Sequence, residues 1–370
     1  MARLEDICSI NMGQSPESSS YNESGEGMPF FQGNADFGEL HPKVRIWCNA
    51  PTKIAECGDI LISVRAPIGA LNIANEQCCI GRGLAALTAN EALCDLKYLW
   101  YGLECKVDEL NSKGTGSTFK AINKKILAET EIYLPSLEEQ RRIAALLDKV
   151  SGLIAKRRAQ LDKLDLLIKA RFVEIFGDPS VNTKWSTMKL SQLGELNRGV
   201  SKHRPRNDPR LLGGAYPLIQ TGDVSNSGLY ILNYSSTYSE LGLEQSRLWK
   251  SGTLCITIAA NIAHTSILTF DACFPDSVVG FVPNDNTNSV FVHYWFSFFQ
   301  KILEEQAPQV AQKNINLKIL SDLDVIVPPY TLQEDFSAFV GQVEKSKLTI
   351  QQSLDKLETL KKALMQQYFG

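Results

Sequence analysis

Two short stretches gather the groups that suit contact with a nucleic-acid backbone. Residues 113–125, KGTGSTFKAINKK, combine positive charge, hydroxyls and backbone freedom. Lys113, Ser117, Thr118, Lys120 and Lys124 are typical phosphate-contact groups, with a solvated loop as the plainer alternative. Residues 198–210 hold Arg198, Lys202, Arg204, Arg206 and Arg210 together with His203, and within the stretch only Asp208 opposes them. Arg65 and Arg82 divide evenly between DNA contact and an internal salt bridge. Gln32 with Asn34, and Gln220 with Asp223, occupy matched loops, where side-chain amides can read base edges.

Groups for catalysis are sparse. The segment 327–330, VPPY, looks like the Pro-Pro-Tyr of adenine methyltransferases, but no Asn, Asp or Ser precedes the prolines and no glycine-rich cofactor loop follows a strand. A strand-to-helix turn is the plain reading. Pro275-Asp276 is not followed by the carboxylate-x-Lys strand of a nuclease. His203, His264 and His293 are isolated, and no P-loop pattern occurs. Nine cysteines include no CxxC pair, which fits reduced, buried thiols in a cytoplasmic protein rather than a disulfide framework or zinc site. Neither a catalytic residue, a metal site nor a resident cofactor is expected.

The bulk composition describes a folded protein: 44% hydrophobic, 21% charged and 9% aromatic. Its net charge of -3 does not advertise a polyanionic partner, and residues 1–135 carry 12 Lys+Arg against 17 Asp+Glu. The acidic balance must therefore lie away from any DNA face. The start, MARLEDICSI, has no signal-peptide pattern, and the apolar run at 290–299 is too short to span a membrane.

An internal repeat organises these groups. Residues 123–177 align with 316–370 at a constant offset of 193. Asn123/Asn316, Lys125/Lys318, Ile126/Ile319, Pro135/Pro328 and Gln140/Gln333 are identical, and both copies carry LDKL, Lys-Ala and Phe-Gly. Chance does not give this match. Upstream the likeness weakens: LEDICSINMGQS at 4–15 with LSQLGELNRGVS at 190–201, and GDILISVRAPIG at 58–69 with GTLCITIAANIA at 252–263. Each copy is a variable globular part of mixed α/β character followed by a better-matched helical part.

The helical parts have clear start signals. Ser136 with Glu139, and Thr331 with Glu334, follow prolines in capping spacing, and Gly177-Asp178-Pro179 stops the first helix. About 40 residues make a rod of ~60 Å. A heptad runs through Ile143, Val150, Arg157, Leu164 and Arg171, and through Leu147, Ile154, Leu161, Ile168 and Ile175. The second helix has Phe336, Val343, Ile350, Leu357 and Leu364, with Val340, Lys347, Leu354, Lys361 and Tyr368. Such a seam wants a partner helix, and two repeats related by a pseudo-two-fold would pair the helices antiparallel. Two similar surfaces on a stiff spacer suit a ligand with two half-sites, of which DNA is the common case.

The pattern resembles the specificity subunits of Type I restriction-modification systems. The residues that carry the resemblance are Gly13, Gln14, Ser15 and Pro16, then GDILISVRAPIG at 58–69, IGRGLAAL at 80–87, GSTFKAINKKIL at 116–127 and IYLPSLEEQRRIAALLDKV at 132–150. The strand-Pro-x-x-x-x-Gln transition into a helix is the most characteristic piece and occurs twice. The second copy departs from it: residues 259–261 replace Arg65-Ala66-Pro67, and residues 309–313, ending in Lys313, replace the GSTFK loop. The resemblance implies target-recognition domains at 1–135 and 178–328, spacer helices at 136–177 and 329–370, and an α+β fold whose helices form an antiparallel coiled coil. It implies a non-catalytic subunit that reads a bipartite DNA target. Such a subunit docks two modification subunits and a restriction subunit, to which S-adenosylmethionine, Mg and ATP would belong. The rival readings are an enzyme in one chain and a protein-protein scaffold with two binding domains and no DNA role.

Overall fold

The computed structural model describes residues 1–116, 120–181, 184–259, 262–306 and 315–370. The chain forms two compact units, residues 1–159 with 351–370, and residues 160–350. Both are mixed α and β, and each is built on the same plan.

In the first unit, Cys8–Met12, Leu84–Ala89, Ile60–Ser63 and Leu71–Ile73 form an antiparallel sheet in that spatial order. A second sheet joins Tyr21–Asn22, Ile46–Cys48, Met28–Phe31, Cys78–Ile80 and Ile54–Ala55, with one parallel pairing, Phe30 opposite Cys79. A two-stranded clasp, Ala2–Arg3 with Glu131–Ile132, brings the beginning of the unit to the end of its globular part. The second unit repeats the scheme. Gly194–Arg198, Val278–Pro283, Leu254–Thr257, Thr265–Leu268 and Tyr230–Ile231 make one sheet. Ser236–Tyr238, Leu212–Leu218, Ala272–Cys273 and Leu248–Trp249 make the other, again with one parallel pairing, Leu218 opposite Cys273. Its clasp pairs Thr187–Lys189 with Asp324–Ile326. The matched apolar runs within 58–69 and 252–263 supply the buried central strands Ile60–Ser63 and Leu254–Thr257, because both faces of the sheet are covered.

Two long helices, Leu137–Phe176 and Tyr330–Phe369, have 40 residues each. At 1.5 Å per residue each is ~60 Å long. Each unit takes a piece of both. In the first unit Ile143, Ala144 and Leu147 share a core with Tyr98, Leu99, Met365 and Phe369. In the second, Ile168, Phe172 and Phe176 share one with Phe291, Trp295, Phe336 and Val340. The pieces run antiparallel within each unit. In the first, Arg158 meets Glu358 at 2.7 Å, while further back along its helix Ile143 and Leu147 share a core with Met365 and Phe369. In the second, Asp165 meets Lys347 at 2.8 Å and Phe172 packs edge-on against Phe336. The heptad positions are buried or half-buried throughout. Ile143, Leu147, Val150, Ile154, Ile168, Val343 and Leu354 are below 9% exposure, and Leu161, Leu164, Ile350, Leu357 and Leu364 are half-buried. The polar seam member Lys347 is tolerated because Asp165 and Glu344 both bind its ammonium at 2.8 Å.

The motif at the helix starts has a mechanical cause. Gln140 is fully buried; its Nε2 donates to the carbonyls of Leu93 at 3.0 Å and Pro135 at 2.9 Å, and its Oε1 accepts from Asp95 N at 2.9 Å. Gln333 repeats the arrangement with Asn286 O, Pro328 O and the Thr287 hydroxyl, each at 3.0 Å. One buried amide thus ties each long helix to the loop before the preceding helix, Leu96–Cys105 or Ser289–Gln306. The expected caps differ in detail. Ser136 accepts from Glu139 N at 3.3 Å, but the Glu139 carboxylate turns to Arg142 instead of reaching back. Thr331 lies inside the second helix, which starts at Tyr330 with Pro329 O accepting from Leu332 N at 3.0 Å. Among the described residues, no helix is long and apolar enough to cross a membrane.

Candidate nucleic-acid interface

In the first unit, backbone hydrogen bonds draw the sequence-predicted residues to the turn at 81–83, which links the strands Cys78–Ile80 and Leu84–Ala89 of the two sheets. Gly13 N donates to Leu84 O at 2.9 Å and Gln14 N to Ile80 O at 3.0 Å, which lays residues 13–15 along the turn at 81–83. A Cβ on Gly13 would stand 2.2 Å from Gly81 O, so only glycine permits this approach. Ser15 Oγ accepts from Arg82 N at 3.2 Å. Gly83 N then donates to Gln32 O at 3.2 Å, and Gly83 O accepts from Val64 N at 2.9 Å, which brings Gln32 and Arg65 alongside. Arg65 bridges to Ala121, and Ala66 N donates to Lys120 O at 3.0 Å. Gln14, Ser15, Gln32, Arg65, Arg82 and Lys120 therefore sit on one continuous strip, with Asn34 two residues beyond Gln32.

The electrostatics of that strip are open. Arg65, Arg82, Lys120 and Lys124 are exposed, and none has a carboxylate within ion-pair distance among the described residues. An internal salt bridge is thus not what Arg65 and Arg82 make. Lys113 differs, since Glu109 holds it at 2.6 Å and its charge is spent locally. Ser117 and Thr118 lie outside the described residues. Lys53 was not singled out in the sequence, yet it is exposed beside Thr52, whose hydroxyl donates to Gln14 O at 2.7 Å. No motif marks it; only the fold brings it there.

The second unit uses the same frame. Gly199 N donates to Val278 O at 2.8 Å and Val200 N to Phe274 O at 3.1 Å, the counterparts of Gly13 and Gln14. Gln220 N is capped by Asp223 Oδ2 at 2.7 Å, as Gln32 N is capped by Asp36 Oδ2 at 2.8 Å. Asp223 therefore matches Asp36, not Asn34, and its carboxylate is occupied by the backbone and by Ser235. Both glutamine side chains remain exposed.

Charge is handled differently here. The stretch 198–210 has a second opponent besides Asp208, which its own sequence does not reveal. Asp276, seventy residues later, binds Arg206 directly and lies 3.8 Å from the Arg204 guanidinium. Arg204 also donates to the carbonyls of Ser201 and His203, at 2.6 and 2.9 Å. Asp208 takes Arg210 at 2.7 Å and His203 at 3.0 Å, and the Arg210 guanidinium and backbone amide hold its carboxyl well below the usual range. Arg198 and Lys202 are exposed and have no carboxylate partner among the described residues. Arg206 joins two clefts. One, of about 290 Å³, is lined with Arg198, Asp276 and Asn316. The other, of about 380 Å³, is lined with Ser201, Asn207, Gln220, Ser236 and Tyr238. Lys313 lies outside the described residues.

Other chemistry finds little support. Among the described residues, no group of three or more His, Cys, Asp or Glu is placed to hold a metal ion. The buried thiols of Cys8, Cys78 and Cys94 are pushed up to about 12 by burial, the opposite of an activated nucleophile. Val327 to Tyr330 form the strand-to-helix turn, with the Pro328 carbonyl bound by Gln333.

The family described as Type I restriction modification DNA specificity domain matches residues 1–164 and again 182–361. The putative type I restriction enzyme MjaX specificity subunit of Methanocaldococcus jannaschii is 46% identical over 156 residues, which are 42% of this chain and 37% of that protein's length. The type I restriction enzyme EcoBI specificity subunit of Escherichia coli is 21% identical over 357 residues, covering 84% of this chain and 73% of that one. A crystal structure of a Type-I restriction-modification S subunit from M. genitalium superposes with a TM-score of 0.60 at 16% identity, covering 100% of this chain and 95% of that one. That last likeness concerns the fold.

Proposed function

Because the chain belongs to the Type I restriction modification DNA specificity family, we propose that it reads double-stranded DNA through its two units, each contributing one half of a bipartite target. The observation that carries this reading is the strip of the first unit. Three exposed cations on it, Arg65, Arg82 and Lys120, have no carboxylate partner among the described residues and accompany exposed amides at Gln14 and Gln32, with the exposed Lys124 four residues beyond Lys120. Cations of this kind release counterions from phosphates, and amides discriminate base edges. The second unit offers Arg198, Lys202 and Gln220 on the same backbone frame, with a different side-chain set, so its half-site differs. The chain itself is non-catalytic in this reading. It docks two modification subunits and a restriction subunit, and S-adenosylmethionine, Mg and ATP belong to those partners.

The test is selection from a pool of random duplexes by the full chain bound to its modification subunit. Two fixed blocks separated by an unspecified spacer are expected. A single contiguous block, or no enrichment, contradicts the reading. Exchanging residues 187–328 with those of a relative should alter only one block.

A further inference from the structure

The two units place opposite charges at one backbone position. Gly13 N to Leu84 O and Gln14 N to Ile80 O fix the frame in the first unit; Gly199 N to Val278 O and Val200 N to Phe274 O fix it in the second. Counting along the turn between those anchors, Arg82 in the first unit corresponds to Asp276 in the second. Arg82 is exposed without a carboxylate partner among the described residues. Asp276 instead binds Arg206. The substitution turns a free cation into an ion pair at the edge of the cleft that also holds Gln220 and Ser201. In that cleft Ser201 is 7% exposed and its buried Oγ has no hydrogen-bond partner among the described residues.

A paired guanidinium is a poor phosphate ligand. A phosphate bound to Arg206 would lie within a few ångströms of the Asp276 carboxylate, and two anions that close repel each other even at a surface-like dielectric. A base edge is neutral and meets no such repulsion. Arg206 is bonded to Asp276 through one terminal nitrogen, which leaves the rest of its fork available. Its best neutral partner is the pair of acceptors O6 and N7 of guanine, which a guanidinium meets with two parallel bonds. Holding the fork by a carboxylate also fixes its plane before binding, so less rotamer freedom is lost on contact.

We propose that Arg206, oriented by Asp276, reads a guanine in the half-site of the second unit, whereas Arg82 at the corresponding place in the first unit meets phosphate. Asp276 is a positioning residue and Arg206 the specificity-determining one. This rests on the DNA-reading role proposed above and deepens it.

The experiment is random-duplex selection followed by salt-dependent affinity on the selected duplex, using the full chain with its modification subunit. The wild type is expected to enrich guanine at a position in one block. Arg206→Ala should erase that preference, a loss of roughly 5- to 150-fold against the other bases, while the slope of log affinity against log salt stays as it was. Asp276→Asn should relax the same preference and steepen the slope by ~0.9, because it frees a cation for phosphate. Arg206→Lys keeps the charge and should lose the preference as Arg206→Ala does, which separates reading from folding. A slope flattened by ~0.9 in Arg206→Ala with base preference intact would make Arg206 a phosphate contact and overturn the proposal. So would an Asp276→Asn chain indistinguishable from wild type. Failure of the wild-type chain to bind any duplex would remove the DNA-reading role itself, and this assignment with it.

Discussion

Gln140 accepts the backbone amide of Asp95 at 2.9 Å, forty-five residues back along the chain, while its own amide nitrogen closes on Leu93 and Pro135. Replacing Gln140 with Leu strands the part-buried N–H of Asp95 and the carbonyls of Leu93 and Pro135. A fully buried unsatisfied group costs about 1–3 kcal/mol, but these three are only part-buried and Leu93 is 45% exposed, so Gln140→Leu should destabilise the first unit by roughly 2–4 kcal/mol in total, and Gln333→Leu the second by a similar amount. Urea unfolding followed by tryptophan fluorescence should show the loss. Wild-type midpoints in both variants would mean that the amide is replaceable.

Adjacent residues on the first long helix should behave oppositely. Ile168 is fully buried against Phe172 and the second core, whereas Leu167 is 47% exposed. Ile168→Ala should cost about 2–5 kcal/mol through lost burial and the cavity left behind. Leu167→Ala should stay within about 0.5 kcal/mol. Equal costs would contradict the helix orientation.

Acid should weaken the second unit before its carboxylates respond. Burial lowers the His293 pKa from the usual 6.5 to about 4; the Thr265 hydrogen bond opposes the shift and the Lys347 ammonium adds to it. The unfolded chain therefore takes up a proton near 6.5 that the folded chain refuses until about 4. The stabilisation is complete above 6.5, falls as pH drops through that window, and levels off below it. The change should be on the order of 1–3 kcal/mol, the lower end applying because the ring borders a cleft. His293→Asn should flatten the pH dependence of the melting temperature between about 6.5 and 4. An unchanged slope would show that another group titrates there.

What was legible in the sequence followed local constraint. Gln140 and Gln333 stand out because a buried amide with three partners admits no substitute, and Pro135 and Pro328 mark the same turn. The seam residues were legible because a long helix imposes its period on apolar side chains. The charge state of the 198–210 stretch was not, since Asp276 reaches Arg206 across seventy residues and only strand pairing brings them together. The equivalence of Arg82 with Asp276 was hidden for a related reason. Backbone hydrogen bonds preserve the frame there, while the turn residues Gly81, Arg82 and Gly83 become Pro275, Asp276 and Ser277. Asp223 shares a matched loop with Asn34 but takes the role of Asp36, a distinction that rests on one carboxylate capping one amide.

The most direct measurement is the salt dependence of duplex binding by the full chain with Arg65 and Arg82 both replaced by Ala. Neither arginine has an internal carboxylate among the described residues, and both flank the strip that carries Gln14 and Gln32. If they meet phosphates, the slope of log affinity against log salt should flatten by ~0.9 for each, about two units together, with binding weakened on every sequence alike. A variant that binds with the wild-type slope would contradict the account, because the first unit would then face DNA with some other surface or not at all.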